Sequence, residues 1–325
     1  MTRANTILAG ALIAQSAIAA LVWRSSGEPV ITPLHSLVSF DPAAVTAVEV
    51  VGRSTADKPA TAVRLEKEGE SWVIASSHRF PADAVKVTEA LEKLKDVVVR
   101  DPISGRAVTH RDLEVADDTF TRKLTVTEGG QTKVLFLGAG KGQSANVRLP
   151  GSDDVFQSRG ITAYTLPDAD RRFWKAEYID LKPDDLQTLT ITNPNGTATL
   201  QRVEGAWTSS ELPPGHTLVV AEVDSLARML LTVRLGDVAG VEADPSMGLD
   251  GSTRVSWTTT VEGQSEAGGY TVGALADGKR YVKADDRPWV IRVTDSAIKR
   301  AVETKFEFFD DGVPDFVGQV GDPGL

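Results

Sequence analysis

The sequence contains no cysteine. That absence excludes disulfide staples, thiolate metal sites, thiol catalysis and acylation at a lipoprotein-type cysteine. Histidine is scarce as well, at His35, His78, His110 and His216. None of the four is spaced His-x-x-x-His, and none stands beside an acidic cluster with metal-ligand spacing, so no metal and no cofactor is expected. An excess of positive charge is also missing. The formal net charge is -10 and the pI about 5.0, so nucleic acid is not an expected partner. What remains is 325 residues, 41% hydrophobic and 25% charged. Such a composition is globular, and the length suffices for two ordinary domains.

Charge is absent from Thr6 to Trp23, between Arg3 and Arg24. Eighteen helical residues rise about 27 Å, against a hydrocarbon core of roughly 30 Å. Two readings compete. A cleaved signal peptide would use the small-x-small site Ala17-Ile18-Ala19. An uncleaved signal-anchor is favoured by the run continuing through Leu21-Val22-Trp23, with the Trp at interface depth. On that reading residues 1–24 cross a bacterial inner membrane once, with the N-terminus cytoplasmic and the bulk periplasmic. Gly10 and Ala14 form a small-xxx-small pair beside Gln15. The three are the candidate interface for a partner helix in the membrane, or else a chance pattern in an Ala-rich segment. Residues 25–43 read as a tether, because Ser25 to Phe40 carries two Pro and little periodicity.

The rest of the chain resembles itself at a shift of 135 residues. Trp72 falls on Trp207, Leu65 on Leu200, and Phe136-Leu137-Gly138 on Thr271-Val272-Gly273. Asn146-Val147-Arg148 falls on Tyr281-Val282-Lys283, Val155 on Val290, and Phe173-Trp174 on Phe308-Phe309. The helical Val87 and Leu94 match Val223 and Leu230 one residue off, and Val48 and Val50 pair with Leu189 and Ile191. The expected domains are therefore residues 44–180 as one copy, 181–311 as a second, and 312–325 as a flexible tail. Alternating segments predict strands at 45–51, 62–67, 186–192 and 197–202. The second pair is joined through Asn193-Pro194-Asn195-Gly196, where Asn-Gly signals a hairpin. A helix is expected to start at Pro81-Ala82-Asp83, burying Val87, Ala90, Leu91 and Leu94. Its counterpart carries Val223, Leu226, Ala227 and Leu230. Further strands are expected at 123–127, 132–137, 146–149 and 154–157, with a short helix ending each copy, most clearly at 295–304. The fold class expected is α+β: two tandem antiparallel-sheet units, each with a helix packed on it, after one transmembrane helix.

Catalytic patterns fail on context. Gly138 to Ser144 is Gly-rich with a Lys, but a strand is expected after it instead of a helix, so no helix N-terminus would hold phosphate. Ser144 lacks the strand-turn-helix setting of a nucleophile elbow. Asp pairs at 117–118, 153–154, 184–185, 285–286 and 310–311 fall in expected turns. Trp72 and Trp207 could stack on a ligand, but equivalent Trp in two copies more often fill a core.

Several segments carry a family resemblance. They are Ser39 to Val50, the Glu-Gly-x-x-Trp hairpin from Glu68 to Trp72, Phe80-Pro81-Ala82-Asp83 opening a helix, Leu137-Gly138, and Val147 to Gly151. In this order they resemble the bacterial family of domain of unknown function 4340, over about residues 40–310. The family's Gly-Leu-Asp element stands at Gly248-Leu249-Asp250 and has become Asp112-Leu113-Glu114 in the first copy. The resemblance implies a non-enzymatic accessory subunit of a gliding-motility-type ABC transport complex. Permease or other membrane subunits would be its partners, and no catalytic residue carries over. The alternative expectation is a periplasmic module that binds an envelope glycan, lipid or exported substrate in a cleft between the copies.

Overall fold

The computed structural model describes residues 3–25, 32–53, 60–212 and 217–305. Helix α1 (Arg3–Ser25) comes first. The stretch expected to be a tether then forms a strand, β1 (His35–Ser39). Its pairing partner, β6, lies some sixty residues further on in sequence, beyond the reach of local pattern reading. Next come β2 (Val45–Gly52), β3 (Ala62–Glu68), β4 (Ser71–Ile74), β5 (Phe80–Pro81) and α2 (Ala84–Leu94). Then follow β6 (Asp96–Val99), β7 (Arg122–Glu128), β8 (Gln131–Ala139), β9 (Ser144–Arg148) and β10 (Phe156–Arg159). No α-helix follows β10, contrary to expectation. Gly160 sits at a φ of +80°, and only a short 3-10 turn at Asp170–Arg172 precedes the next strand.

The second half opens with β11 (Glu177–Asp180), β12 (Leu186–Asn193), β13 (Gly196–Val203), β14 (Ala206–Ser209) and α3 (Val220–Leu230). It continues with β15 (Thr232–Arg234), β16 (Asp237–Gly240), β17 (Arg254–Val261) and β18 (Gln264–Ala276). The last described elements are β19 (Lys279–Ala284), β20 (Val290–Thr294) and α4 (Asp295–Glu303).

Two eight-stranded antiparallel sheets result, of order β5-β4-β3-β2-β7-β8-β9-β10 and β14-β13-β12-β17-β18-β19-β20-β16. From β4 to β10 and from β14 to β20 the two orders are the same. Each half also has a separate two-stranded ladder, β1 with β6 and β11 with β15. By packing, the chain divides into two compact units. One holds residues 1–41, 93–123 and 134–165, and the other holds 42–92, 124–133 and 166–325.

The core follows the period-2 rule for half-buried strands. β2 and β12 have one burial pattern, with Val45, Val48, Val50 and Gly52 inward in β2 and Leu186, Leu189, Ile191 and Asn193 in β12. The first two inward residues of each are three apart, because an extra residue breaks the phase. In β12 the break is an irregularity in its pairing with β17 between Leu186 and Thr188. Helix α2 starts at Asp83, whose carboxylate accepts from the amides of Val85 and Lys86 at 3.1 and 3.4 Å. Its Val87, Ala90, Leu91 and Leu94 are buried, as are Val223, Leu226, Ala227 and Leu230 of α3. Trp72 and Trp207 are buried too, Trp207 with its indole N–H on Asp224 at 2.8 Å. Each such aromatic is worth about 3 kcal/mol or more against truncation.

Two glycines show why the shared positions are shared. A Cβ on Gly138 would collide with the carbonyl oxygen of Leu113, and one on Gly273 with that of Met247. In both halves the loop at or beside Asp112-Leu113-Glu114 or Gly248-Leu249-Asp250 presses on a strand at a residue without a side chain. The hairpin expected at Asn193 to Gly196 forms with Pro194-Asn195 as its central pair, since Asn193 pairs with Gly196. Only Gly196 takes a positive φ, at 134°. Pro at the first central position fixes φ near −65°, so the turn is not of a primed type.

Candidate functional site

The residues expected to meet a membrane partner lie on α1. Gly10, Ala14 and Gln15 are all exposed, and a Cβ on Gly10 would meet nothing within 4 Å. Leu8, Leu12, Ile13, Ile18 and Leu21 are between 62% and 71% exposed. No other described segment covers this helix at its described side chains, positions 8 and 10–21. Among the described residues no helix is long and apolar enough to cross a membrane. The uncharged run from Thr6 to Trp23 extends past the side chains described.

The motifs weighed for catalysis have structural surroundings. Gly138 to Ser144 joins β8 to β9, and Ser144 is buried with its hydroxyl donating to Lys141 O at 2.6 Å. His110 is buried, and its Nε2 lies 3.0 Å from Asp153 O. The Asp pairs at 117–118, 184–185 and 285–286 lie in bends, turns or 3-10 structure, the pair at 153–154 lies in irregular chain just before Val155, and the pair at 310–311 lies outside the described residues. Among the described residues no group of three or more His, Asp and Glu side chains could hold a metal ion.

The second sheet carries a groove of about 720 Å³ that sequence reasoning missed. Its floor is built by alternation. Thr188 and Thr190 of β12 and Ser256 and Thr258 of β17 stand half-buried between the buried Leu189, Ile191 and Val255. Hydroxyls couple across the ladder, Thr188 to Thr258 at 2.7 Å. β18 pairs with β19 only from Tyr270 onward, so towards its hairpin tip β17 is its strand partner. There the main chain of Gly268 faces Trp257, its register partner, and a Cβ would stand 2.8 Å from the indole. The glycine gives the ring room to lie across the strand. Trp257 also packs on the buried Tyr270 with ring centroids 6.0 Å apart. Burial pushes the Tyr270 phenol far up, and its O–H donates to Leu230 O at 2.9 Å.

At the rim Arg254 grips Asp285 through two hydrogen bonds of 3.1 and 2.6 Å across Gly269. The pairing raises the guanidinium pKa above its ordinary value. Arg287 lies over the ring of Tyr178 at 5.0 Å. That phenol is raised by burial, donates to Trp289 O at 2.7 Å and accepts from the amide of Ala284. Lys175, Trp257 and Glu266 are among the lining residues, and their side chains have no hydrogen-bond or ion-pair partner among the described residues; strand register places the Trp257 ring on the face of Leu189 and Tyr270, opposite the hydroxyl row. The sequence signal for this place was the Gly268-Gly269 pair inside an alternating strand, beside the Thr-x-Thr alternation of β12. On the first sheet a hollow of about 150 Å³ is lined by Ala47, Glu49 and Arg64 among others. Ala47 and Glu49 are the counterparts of Thr188 and Thr190.

The architecture defines a mixed α/β protein of two eight-stranded antiparallel sheets and few helices. The chain belongs to the family described as Domain of unknown function (DUF4340), whose model matches residues 72–252. The matched stretch runs from β4 to just past Gly248-Leu249-Asp250, so β17, β18 and most of the groove lie beyond it. No curated protein and no solved structure matches the chain.

Proposed function

We propose that this protein is a non-catalytic accessory subunit of an ABC-type transport complex, held in a bacterial inner membrane by α1, with the remainder periplasmic. The observation that carries the reading is the bare apolar surface of α1, where Leu8, Leu12, Ile13, Ile18 and Leu21 find no cover among the described residues. Lipid or a partner's helices would supply it, and Gly10, Ala14 and Gln15 offer a face for close helix approach. The tandem duplication supports a scaffold, because what the two halves share is packing: the strand order, the inward residues of β2 and β12, and the loop-contacting glycines.

The test is extraction of membranes in mild detergent, followed by isolation through a C-terminal tag. Co-isolation of a permease and an ATPase is expected, with loss of both from a Gly10→Leu, Ala14→Leu variant that stays in the membrane. Recovery of the chain alone sinks the proposal. A second reading, a ligand-binding module, is favoured by the groove on the second sheet, which makes a cleft between copies unnecessary.

A further inference from the structure

We infer that the unpaired edge of β18 takes up an extended, basic peptide segment of a partner protein as an added strand; this rests on the binding-module reading and names its ligand. β18 has β17 on one side throughout, but β19 joins it on the other side only from Tyr270 onward. Beyond that ladder the Asp285 amide donates to Gly269 O at 3.0 Å. A strand turns its backbone groups to opposite sides at alternate residues. Ser265 and Ala267 therefore point their N–H and C=O the same way as Gly269, and among the described residues no strand meets them there. Both residues are exposed. The groove lies along this edge, lined by Glu266, Ala267 and Gly268 together with Ile179 and Leu181. An open edge beside a groove recruits a strand: main-chain bonds give affinity and alternate side chains give specificity.

The side chains at the edge select the occupant. Ala267, Gly268 and Gly269 leave room for another main chain to approach. At a shift of 135 residues Gly268 falls on Lys133, in the part of β8 that β9 does not reach, and Lys133 is ion-paired with Glu128. Lysine on an edge strand guards against strand addition, so the first sheet is guarded where the second is open. Register places Trp257, Glu266 and Gly268 on one face, away from the hydroxyl row. A side chain of the added strand opposite Gly268 would stand beside the indole and within reach of the Glu266 carboxylate, which suits Lys or Arg. The charge of the groove agrees. Arg254 is paired with Asp285, Arg287 with Asp286 and Glu177 with Arg234. Asp180 and Glu266 remain against Lys175, so the surplus is negative and draws a cationic segment.

The experiment uses the full chain in nanodiscs of zwitterionic lipid. A heptapeptide of alternating lysine and valine, acetylated and amidated, is titrated while tryptophan emission and amide hydrogen exchange are followed. Binding is expected, with exchange slowed at Ser265 and Ala267. Backbone N-methylation along the peptide keeps its charge and removes its N–H donors, and should weaken binding roughly tenfold or more. Ala267→Pro should do the same, since it deletes an outward donor at a position where an edge strand accepts proline. Glu266→Lys is expected to weaken binding about threefold or more by reversing the charge beside the added side chain. Equal binding of the N-methylated peptide, or binding indifferent to both variants, would mean attraction by net charge alone and overturns the inference. Maltotetraose and a short-chain phospholipid are titrated in parallel. If either binds in a Glu266-dependent way where the peptide does not, the module stands and strand addition falls. If nothing binds, both fall.

Discussion

At position 148 a guanidinium that is only 2% exposed reaches the carbonyl oxygens of Val115, Leu149 and Ser152 and the carboxylate of Asp117. In the second half Lys283 reaches the carbonyls of Ala284 and Arg287, the positions equivalent to Leu149 and Ser152. A cation donating to the turn that follows its strand is thus kept while the side chain is exchanged. The carboxylate of Asp117 is largely in water, so most of the stabilisation at Arg148 comes from carbonyls that would otherwise be buried unpaired. Replacement by Met is expected to cost about 3 kcal/mol in urea unfolding, and Arg148→Lys about half as much, since Lys283 shows that an ammonium can satisfy two of the acceptors.

Asp170 gives a prediction of opposite character. Burial raises its carboxyl pKa above the ordinary value, against hydroxyl donors from Ser76 and Ser77. The folded state therefore holds a proton that the unfolded state has already lost, in the window just above the usual aspartate range. Stability should fall as pH rises through that window and stay level beyond it. Asp170→Asn has no proton to lose. Urea midpoints of the two proteins between about pH 4 and 7 are expected to diverge in the variant's favour as pH rises.

Among the elements, α4 is held by a turn from elsewhere in sequence. The Asn193 amide donates to Ala301 O at 3.1 Å and to Thr304 O at 2.9 Å, and Asn195 adds bonds to Glu303 O and Thr304 O. A helix C-terminus leaves carbonyls without partners, and here the β12–β13 turn closes them. Asn193→Ala is expected to cost about 2 kcal/mol, with faster hydrogen exchange confined to the last turn of α4. Asn193-Pro194-Asn195-Gly196 was legible as a hairpin, but its capping role depends on a helix about a hundred residues away.

The same division runs through the other elements. Helices α2 and α3 and the hairpins β2–β3 and β12–β13 follow from periodicity and were readable. β1 and β11 were not, because each is a short strand whose partner, β6 or β15, lies beyond an intervening sheet segment and helix. The groove escaped for a related reason. Trp257, Gly268, Arg254 and Asp285 belong to three different sequence segments, and only strand register brings them together. The Gly-rich loop and the Asp pairs, by contrast, drew attention through local composition that turns explain.

For the whole molecule, the readable part was the repetition and the unreadable part its asymmetry. The shift of 135 residues rests on inward and turn positions, where packing tolerates few residue types, so it survives divergence. Outward positions are free to differ, and a polar site arises there without leaving a pattern in one sequence. Among the described residues the two halves also meet inside the second compact unit. The Trp289 indole N–H donates to His78 O at 2.9 Å, and its ring packs edge-on against Phe80 at 5.3 Å.

The shared strand order of the two sheets has a cost during synthesis and refolding. β2 and β12 bury the same positions, so a nascent β2 left waiting for β7 can be captured at the place of β12, and the reverse. Tandem look-alikes in one chain are prone to such strand exchange, which traps the chain in misassembled states. The outward residues that distinguish the halves, Ala47 and Glu49 against Thr188 and Thr190, then act as address labels that make the wrong strand a poor fit. Erasing them with Thr188→Ala and Thr190→Glu should leave the native fold intact. The expected result is a larger slow fraction in refolding from urea, with a matching loss of recovered monomer at higher protein concentration.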